Sequence, residues 1–407
     1  MRIVGAAIFM AVGIIPRLSP RNITWDETYH MRLASQLWRQ GFSIHLLREM
    51  TLATGPLYAA MLALMKPIFS LNPGHGARLL TWLFLGATLF FAGKLMKSFA
   101  GPSNRTYLSL LGIPLLTLMG AFAMSDIPVL CMFFISLFIW RQATLCSERS
   151  KAGLFFSCLA GLFMGLAIIG RQTYLVGLVG FLWIGLKCAT LKKRVLLFFL
   201  FMAPIPITLF ACWKGLTSQS IQLAESSAGY FSATHLLLGI SQSALLYCLF
   251  EPALVTRNWK KNAMIIGIFL LLTPLVEQFI ITDLTQRLPI RSIFQYVFGA
   301  WHPWIARVLL GASFGLGFLF LKEIGHRFLT TQEPQIAGLY LSGLALILVS
   351  GCVAHNYSSR YPLPGLMLLV ILHEITEVES MTIAKVVRLG MGGILGLGVA
   401  AYYLGLF

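Results

Sequence analysis

Asp26 and Glu27 stand side by side in the stretch ITWDETYH, residues 23–30, directly after the first apolar run of the chain. A carboxylate in such a place can take a proton from an attacking hydroxyl as a general base. It can also serve a helix start. Thr24 followed three residues later by Glu27 is a capping box, in which hydroxyl and carboxylate each bond a free backbone N–H, and Asp26 in the first turn suits the helix dipole. Capping accounts well for Glu27, so that Glu27→Gln should cost little stability, and only partly for Asp26. His30, one turn after Asp26, orients it, touches substrate, or is a structural histidine on a helix face.

A third acid, Asp126, lies in GAFAMSDIPVLCMFF, between two apolar runs joined by almost no loop. An ionised carboxylate at the bilayer centre costs about 2.5–3.5 kcal/mol on insertion scales and less near the interface, so something should compensate for it. Helix capping by Ser125 or Asp126 ahead of Pro128 is one explanation. A two-carboxylate site or a metal site on the same membrane face as Asp26 is the other. Arg171 and Gln172 interrupt the runs GLFMGLAIIG and YLVGLVGFLW, leaving a guanidinium for two-point contact with a phosphate or for snorkelling to lipid headgroups. In HNYSSRYPLP, His355, Tyr357, Arg360 and Tyr361 end one span and begin the next, and Arg171 with Arg360 would make a phosphate clamp.

The element that positions these residues is a membrane bundle. Hydrophobic residues make up 57% of the 407 and charged residues 11%, with a mean hydropathy of +0.80, where soluble domains run to roughly 45–50% and about 25%. The apolar blocks are helical in length rather than ten-residue alternating segments, which excludes an outer-membrane barrel. The run from Met1-Arg2 to Pro16 has no small-residue cleavage site after it and reads as an uncleaved first span. The seven cysteines are scattered without a CxxC pair, which argues for neither a disulfide framework nor a zinc site.

The net charge of +17 is unevenly spread. Lys94, Lys97 and Arg105; Arg141, Arg149 and Lys151; Lys187, Lys192, Lys193 and Arg194; and Arg257, Lys260 and Lys261 follow alternate apolar runs, and the positive-inside rule makes these the cytoplasmic loops. The basicity is thus topology, and no soluble basic domain exists for nucleic acid. Spans are then expected near 3–16, 78–96, 106–124, 127–142, 153–169, 173–190, 194–212, 235–254, 262–281, 305–322, 335–354, 361–374 and 387–406, about 13 helices in all. The parity holds only if 55–71 does not cross. The long external loop 17–77 should carry an amphipathic helix along the membrane surface, with Leu33, Ala34, Leu37 and Trp38 on one face and Arg32, Gln36, Arg39 and Gln40 opposite.

The acidic pair after the first span, LATGPLYAAML in the same loop, a small external turn with Asp, GRQTYLVGLVGFLW and a late SSRYPLPG together resemble the GT-C superfamily of polytopic glycosyltransferases, which use sugars carried on polyprenyl phosphate. WDETYH, TGPLY and RQT are most similar to the α-1,2-glucosyltransferase family that adds the terminal glucose to the lipid-linked N-glycan precursor. The likeness covers mainly residues 20–180. It implies an all-α GT-C-like bundle with two surface helices in the first external loop, a catalytic module over 1–212 and a variable C-terminal module over 213–407. It also implies that Asp26 is the catalytic acid of the first loop, Asp126 the acid of the second, and Arg171 a donor-phosphate contact.

The activity so implied is inverting transfer of a hexose from a polyprenyl-phosphate donor to a lipid-linked or cell-envelope glycan acceptor, outside the membrane. Asp26 is the expected base, Glu27 its neighbour and support, and His30, Gln172, His355 and Tyr361 are candidate substrate contacts. No cofactor is required, although two acids on one face permit a divalent metal. The expected setting is a bacterial inner membrane rather than the endoplasmic reticulum. A lipid-linked sugar flippase is the alternative from another class, against which stand the lack of an internal repeat and of ionisable groups at mid-depth; an O-antigen-type ligase or polymerase is the nearer rival.

Overall fold

A computed structural model describes residues 1–21, 25–50, 52, 54–67, 73–100, 107–218, 221–222, 231–280, 303–352, 360–377 and 382–406, without the side chains of 25, 26, 73, 275–280 and 303–306. The described residues are helical with no strand. In chain order the helices are α1 (Arg2–Leu18), α2 (Trp25–Gln40), α3 (Ile44–Glu49), α4 (Leu57–Met65), α5 (Pro73–Ala100), α6 (Pro114–Gly120), α7 (Asp126–Leu145), α8 (Lys151–Gly170), α9 (Val179–Lys187), α10 (Lys192–Met202) and α11 (Pro204–Trp213). There follow α12 (Ala233–Tyr247), α13 (Ala253–Thr256), α14 (Trp259–Ile280), α15 (Pro303–Thr330), α16 (Pro334–Leu348), α17 (Leu363–Thr376) and α18 (Ile383–Tyr403). The chain forms two compact units, one of Met1–Ser227 with Ile371–Phe407 and the other of Ala228–Val370.

Among the described residues, 7 helical segments are long and apolar enough to cross a membrane: Gly74–Ala100, Asp126–Leu145, Lys151–Gly170, Ala189–Trp213, Arg307–Thr330, Pro334–Cys352 and Ile383–Tyr403. Each coincides with a span expected from the sequence, and the chain is an all-helical integral membrane protein. The span expected at 106–124 is not one helix. It is a 3-10 turn, Tyr107–Gly112, followed by the 7-residue α6. Pro114 at the first position of α6 has no N–H to give to a continuous helix and stops the chain from running straight through. The segment around 55–71, which parity forbids to cross, supplies α4 of 9 residues; at about 1.5 Å per residue it covers less than half of the roughly 30 Å hydrocarbon core.

In the first unit α7 packs between α5 and α8, and α18 returns to lie on α1, α6 and the 3-10 turn before it. The segment 17–77, expected to be external, holds three helices, α2, α3 and α4, where two were expected. They share a core with α5 and α11: Leu33, Leu37, Leu46, Met50, Tyr58, Leu62, Leu80 and Trp213 are all buried together. The Trp213 indole N–H donates to the Leu47 carbonyl at 2.7 Å, tying α11 to α3. On α2 the buried stripe is Glu27, His30, Leu33, Ala34 and Leu37, the three-and-four spacing of one helix face. Trp38, expected on that face, is 50% exposed. It falls one step past the stripe, and Lys66 lies 5.7 Å from its ring centroid.

The second unit is a helix bundle of its own, in which α15 packs on α12 and α14. Among its described residues the buried Glu251 lies 3.6 Å from Arg327, which also pairs with Glu323, one turn before it, at 2.7 Å.

Candidate functional site

The first turn of α2 is fixed by a buried ion pair. Glu27 accepts from Arg78 Nε at 2.9 Å and from Arg78 Nη2 at 2.8 Å, one bond to each carboxylate oxygen. Its Oε1 also accepts the backbone N–H of Ala123 at 2.7 Å. The remaining arm of Arg78 donates to the carbonyls of Pro16, 3.3 Å, and Arg21, 3.1 Å. One guanidinium therefore joins the end of α1, the start of α2, the start of α5 and, through Glu27, the turn ahead of α7. Charge-assisted two-point geometry of this kind fixes orientation as well as distance.

This changes the reading of Glu27. Its described partners are a distant arginine and a distant amide, where the capping box predicted a local bond to the helix start; Thr24, the other half of that box, lies outside the described residues. Asp26 sits in the first turn of α2, four residues before His30, and its side chain lies outside those described. His30 is buried and meets the Tyr58 ring edge-on, centroids 5.2 Å apart. Tyr58 bonds Thr81 Oγ1 at 2.8 Å and the Ala77 carbonyl at 3.1 Å. Complete burial pushes its phenol far above the ordinary tyrosine value, so it serves as a neutral hydroxyl.

Asp126 opens α7, three residues after Ala123. Ser125, at the cap position, makes no side-chain capping bond. The charge of Asp126 is met instead by Arg171, Nη2 to Oδ1 at 3.1 Å, with both side chains 5% exposed. The compensating group that a carboxylate near hydrocarbon demands is thus the arginine read separately as a phosphate contact. Arg171 caps the C-terminus of α8 and begins the 3-10 turn Gln172–Leu178, and Gln172 is half-buried.

TGPLY joins this corner to α2. The Gly55 N–H donates to the Gly170 carbonyl at 3.1 Å. A Cβ on Gly55 would overlap the Ile169 carbonyl oxygen, and one on Gly170 would overlap Val129 of α7. Only two glycines let the loop, α8 and α7 approach so closely. WDETYH, TGPLY, SDIP and GRQT, far apart in sequence, therefore meet at one end of the first unit.

Arg360 and Tyr361 belong to the second unit and are half-buried; His355 lies outside the described residues. Among the described residues no group of three or more His, Cys, Asp or Glu is placed to hold a metal ion. Sequence reasoning missed Arg78 and Tyr58. Arg78 did leave a signal: a lone arginine one turn into an apolar helix on the acid-bearing side requires a partner, and only a few acids were available to supply it.

No family model matches the chain, and no curated protein matches it. Among solved structures, ArnT from Cupriavidus metallidurans bound to undecaprenyl phosphate is similar at 12% identity and a TM-score of 0.44, covering 92% of this chain and 77% of that one. The apo state of the same protein gives 13%, 0.42, 92% and 76%. The Archaeoglobus fulgidus oligosaccharyltransferase tethered with an acceptor peptide gives 11%, 0.36, 93% and 56%.

Proposed function

We propose that the chain is an inverting glycosyltransferase that moves a hexose from a polyprenyl-phosphate donor to a glycan acceptor on the external face of a membrane, with a bacterial inner membrane as its setting. The observation that carries this reading is the meeting, in one unit, of the α2 turn bearing Asp26, the Asp126–Arg171 pair and the TGPLY loop. A base and a cation at one membrane edge are what the transfer requires, since the donor already carries its leaving group.

Asp26 takes the proton of the acceptor hydroxyl as that oxygen bonds to C1 of the sugar. The bond from C1 to the phosphate oxygen breaks on the opposite face, its electron pair leaves with the polyprenyl phosphate, and Arg171 meets the charge. Attack from the face opposite the leaving group inverts C1. Asp126 holds the guanidinium in place rather than acting as a second base, and Glu27 with Arg78 sets the turn that bears Asp26. No step so written needs a metal.

The test is to present polyprenyl-phosphate hexoses to the purified protein and to measure sugar transfer and release of lipid phosphate. Release with at least one donor is expected. No release with any donor would return the chain to the transporter class.

A further inference from the structure

Two buried polar atoms, in the two segments that meet at the Gly55–Gly170 bond, make no hydrogen bond among the described residues. Thr54 Oγ1 and Gln172 Nε2 are both shielded from solvent, and neither has a hydrogen-bond partner among the described residues. A buried donor or acceptor left without a partner loses its hydration and gains nothing for it, so such groups are rare and call for a reason. Their segments are pinned together by the bond from the Gly55 N–H to the Gly170 carbonyl, one residue from Thr54 and two from Gln172.

A hydroxyl and a carboxamide are neutral and can each donate and accept. That chemistry matches an alcohol better than an ion. Between Gly170 and Gln172 lies Arg171, taken above as the donor-phosphate contact, and the hexose of such a donor is bonded directly to its phosphate, so the hydroxyls of the sugar come next along the ligand. We infer that Thr54 and Gln172 form a subsite for the hydroxyls of the donor hexose. The inference rests on the reading of Arg171 as the phosphate contact. A site built to bond a hydroxyl discriminates strongly against a ligand that lacks it, because its buried groups are then left unpaired.

The test compares binding of polyprenyl-phosphate glucose, mannose and galactose with binding of bare polyprenyl phosphate, using the purified full chain. The wild type should hold its preferred sugar-bearing lipid about tenfold more tightly than the bare one, the worth of one or two hydrogen bonds. Thr54→Val, which matches threonine in shape, and Gln172→Leu should each remove most of that ratio while leaving affinity for the bare lipid unchanged. Thr54→Ser should retain it. If Thr54→Val fails to fold, Gln172→Leu reads the same ratio alone. A ratio unchanged in the variants, an equal loss for both lipids, or no preference in the wild type for any of the three sugars would overturn the subsite. Transfer is measured on the same preparations. A wild type that prefers the sugar-bearing lipid yet transfers nothing sinks the glycosyltransferase reading and leaves the subsite standing, whereas transfer with an unchanged ratio does the reverse.

Discussion

Arg78 holds the Glu27 carboxylate edge-on, Nε to one oxygen at 2.9 Å and Nη2 to the other at 2.8 Å, with both side chains only 2% exposed. A buried pair is weak evidence for net stability, since desolvation offsets its attraction. Breaking it from one side is another matter.

Glu27→Gln leaves the Arg78 guanidinium buried without its ionic partner and should destabilise the protein by roughly 3–5 kcal/mol, reversing the small cost that a capping role would predict. Thermal unfolding of the purified protein measures it. The double change Glu27→Gln with Arg78→Met should lie nearer the wild type than Arg78 left facing the amide. A melting point unmoved by Glu27→Gln would mean the pair contributes nothing.

Asp26→Asn should behave in the opposite way. An amide cannot take the hydroxyl proton, and general-base catalysis is worth about 10²–10⁴-fold, so transfer should fall by that order while the melting point stays within a degree or two. Substantial transfer by this variant would remove Asp26 from the role of base.

Arg171→Lys keeps the charge and loses the planar fork. The expected outcome is a donor KM raised roughly tenfold, the scale of one charge-assisted hydrogen bond, with acceptor KM unchanged. Asp126→Asn should shift the same parameter in the same direction but less, since the amide oxygen can still accept from the guanidinium. If Asp126→Asn instead abolished transfer with donor KM intact, Asp126 would be a base and not an orienting group.

A cysteine placed at Leu64, a 70% exposed position on α4, in a background with the native cysteines replaced, should be labelled by a membrane-impermeant reagent from the external side alone, because the basic loops that follow require α4 to stay out of the cytoplasm. Labelling from the cytoplasmic side would overturn the topology.

How much of this was legible in the sequence differs by element. Spans such as 127–142 and 153–169 could be read directly, because twenty apolar residues have one way to sit in a bilayer. The break at 112–114 was written in Gly112 and Pro114 yet hidden by continuous hydropathy. Asp126 and Arg171 were each picked out, but as separate groups. Their pairing depends on how α7 and α8 lie against each other, which no local pattern contains. Glu27 illustrates the limit best: its spacing from Thr24 satisfied a local rule, while its described partners, Arg78 and Ala123, lie 51 and 96 residues away.

The unit that carries Asp26, Asp126 and Arg171 is made of two separate stretches of chain, Met1–Ser227 and Ile371–Phe407. α18 seats on α1 and α6, where Gly396 is pressed so closely against Pro114 and Thr117 that a Cβ there would collide with both. Chains emerge from the ribosome N-terminus first, and early segments usually settle as they appear. Here α1 and α6 must keep a seat open in the lipid while the whole second unit is being made. Arrest in the middle of synthesis would leave α1 and α6 without the helix that packs on them. The first unit is therefore packed in full only after the second unit has been made.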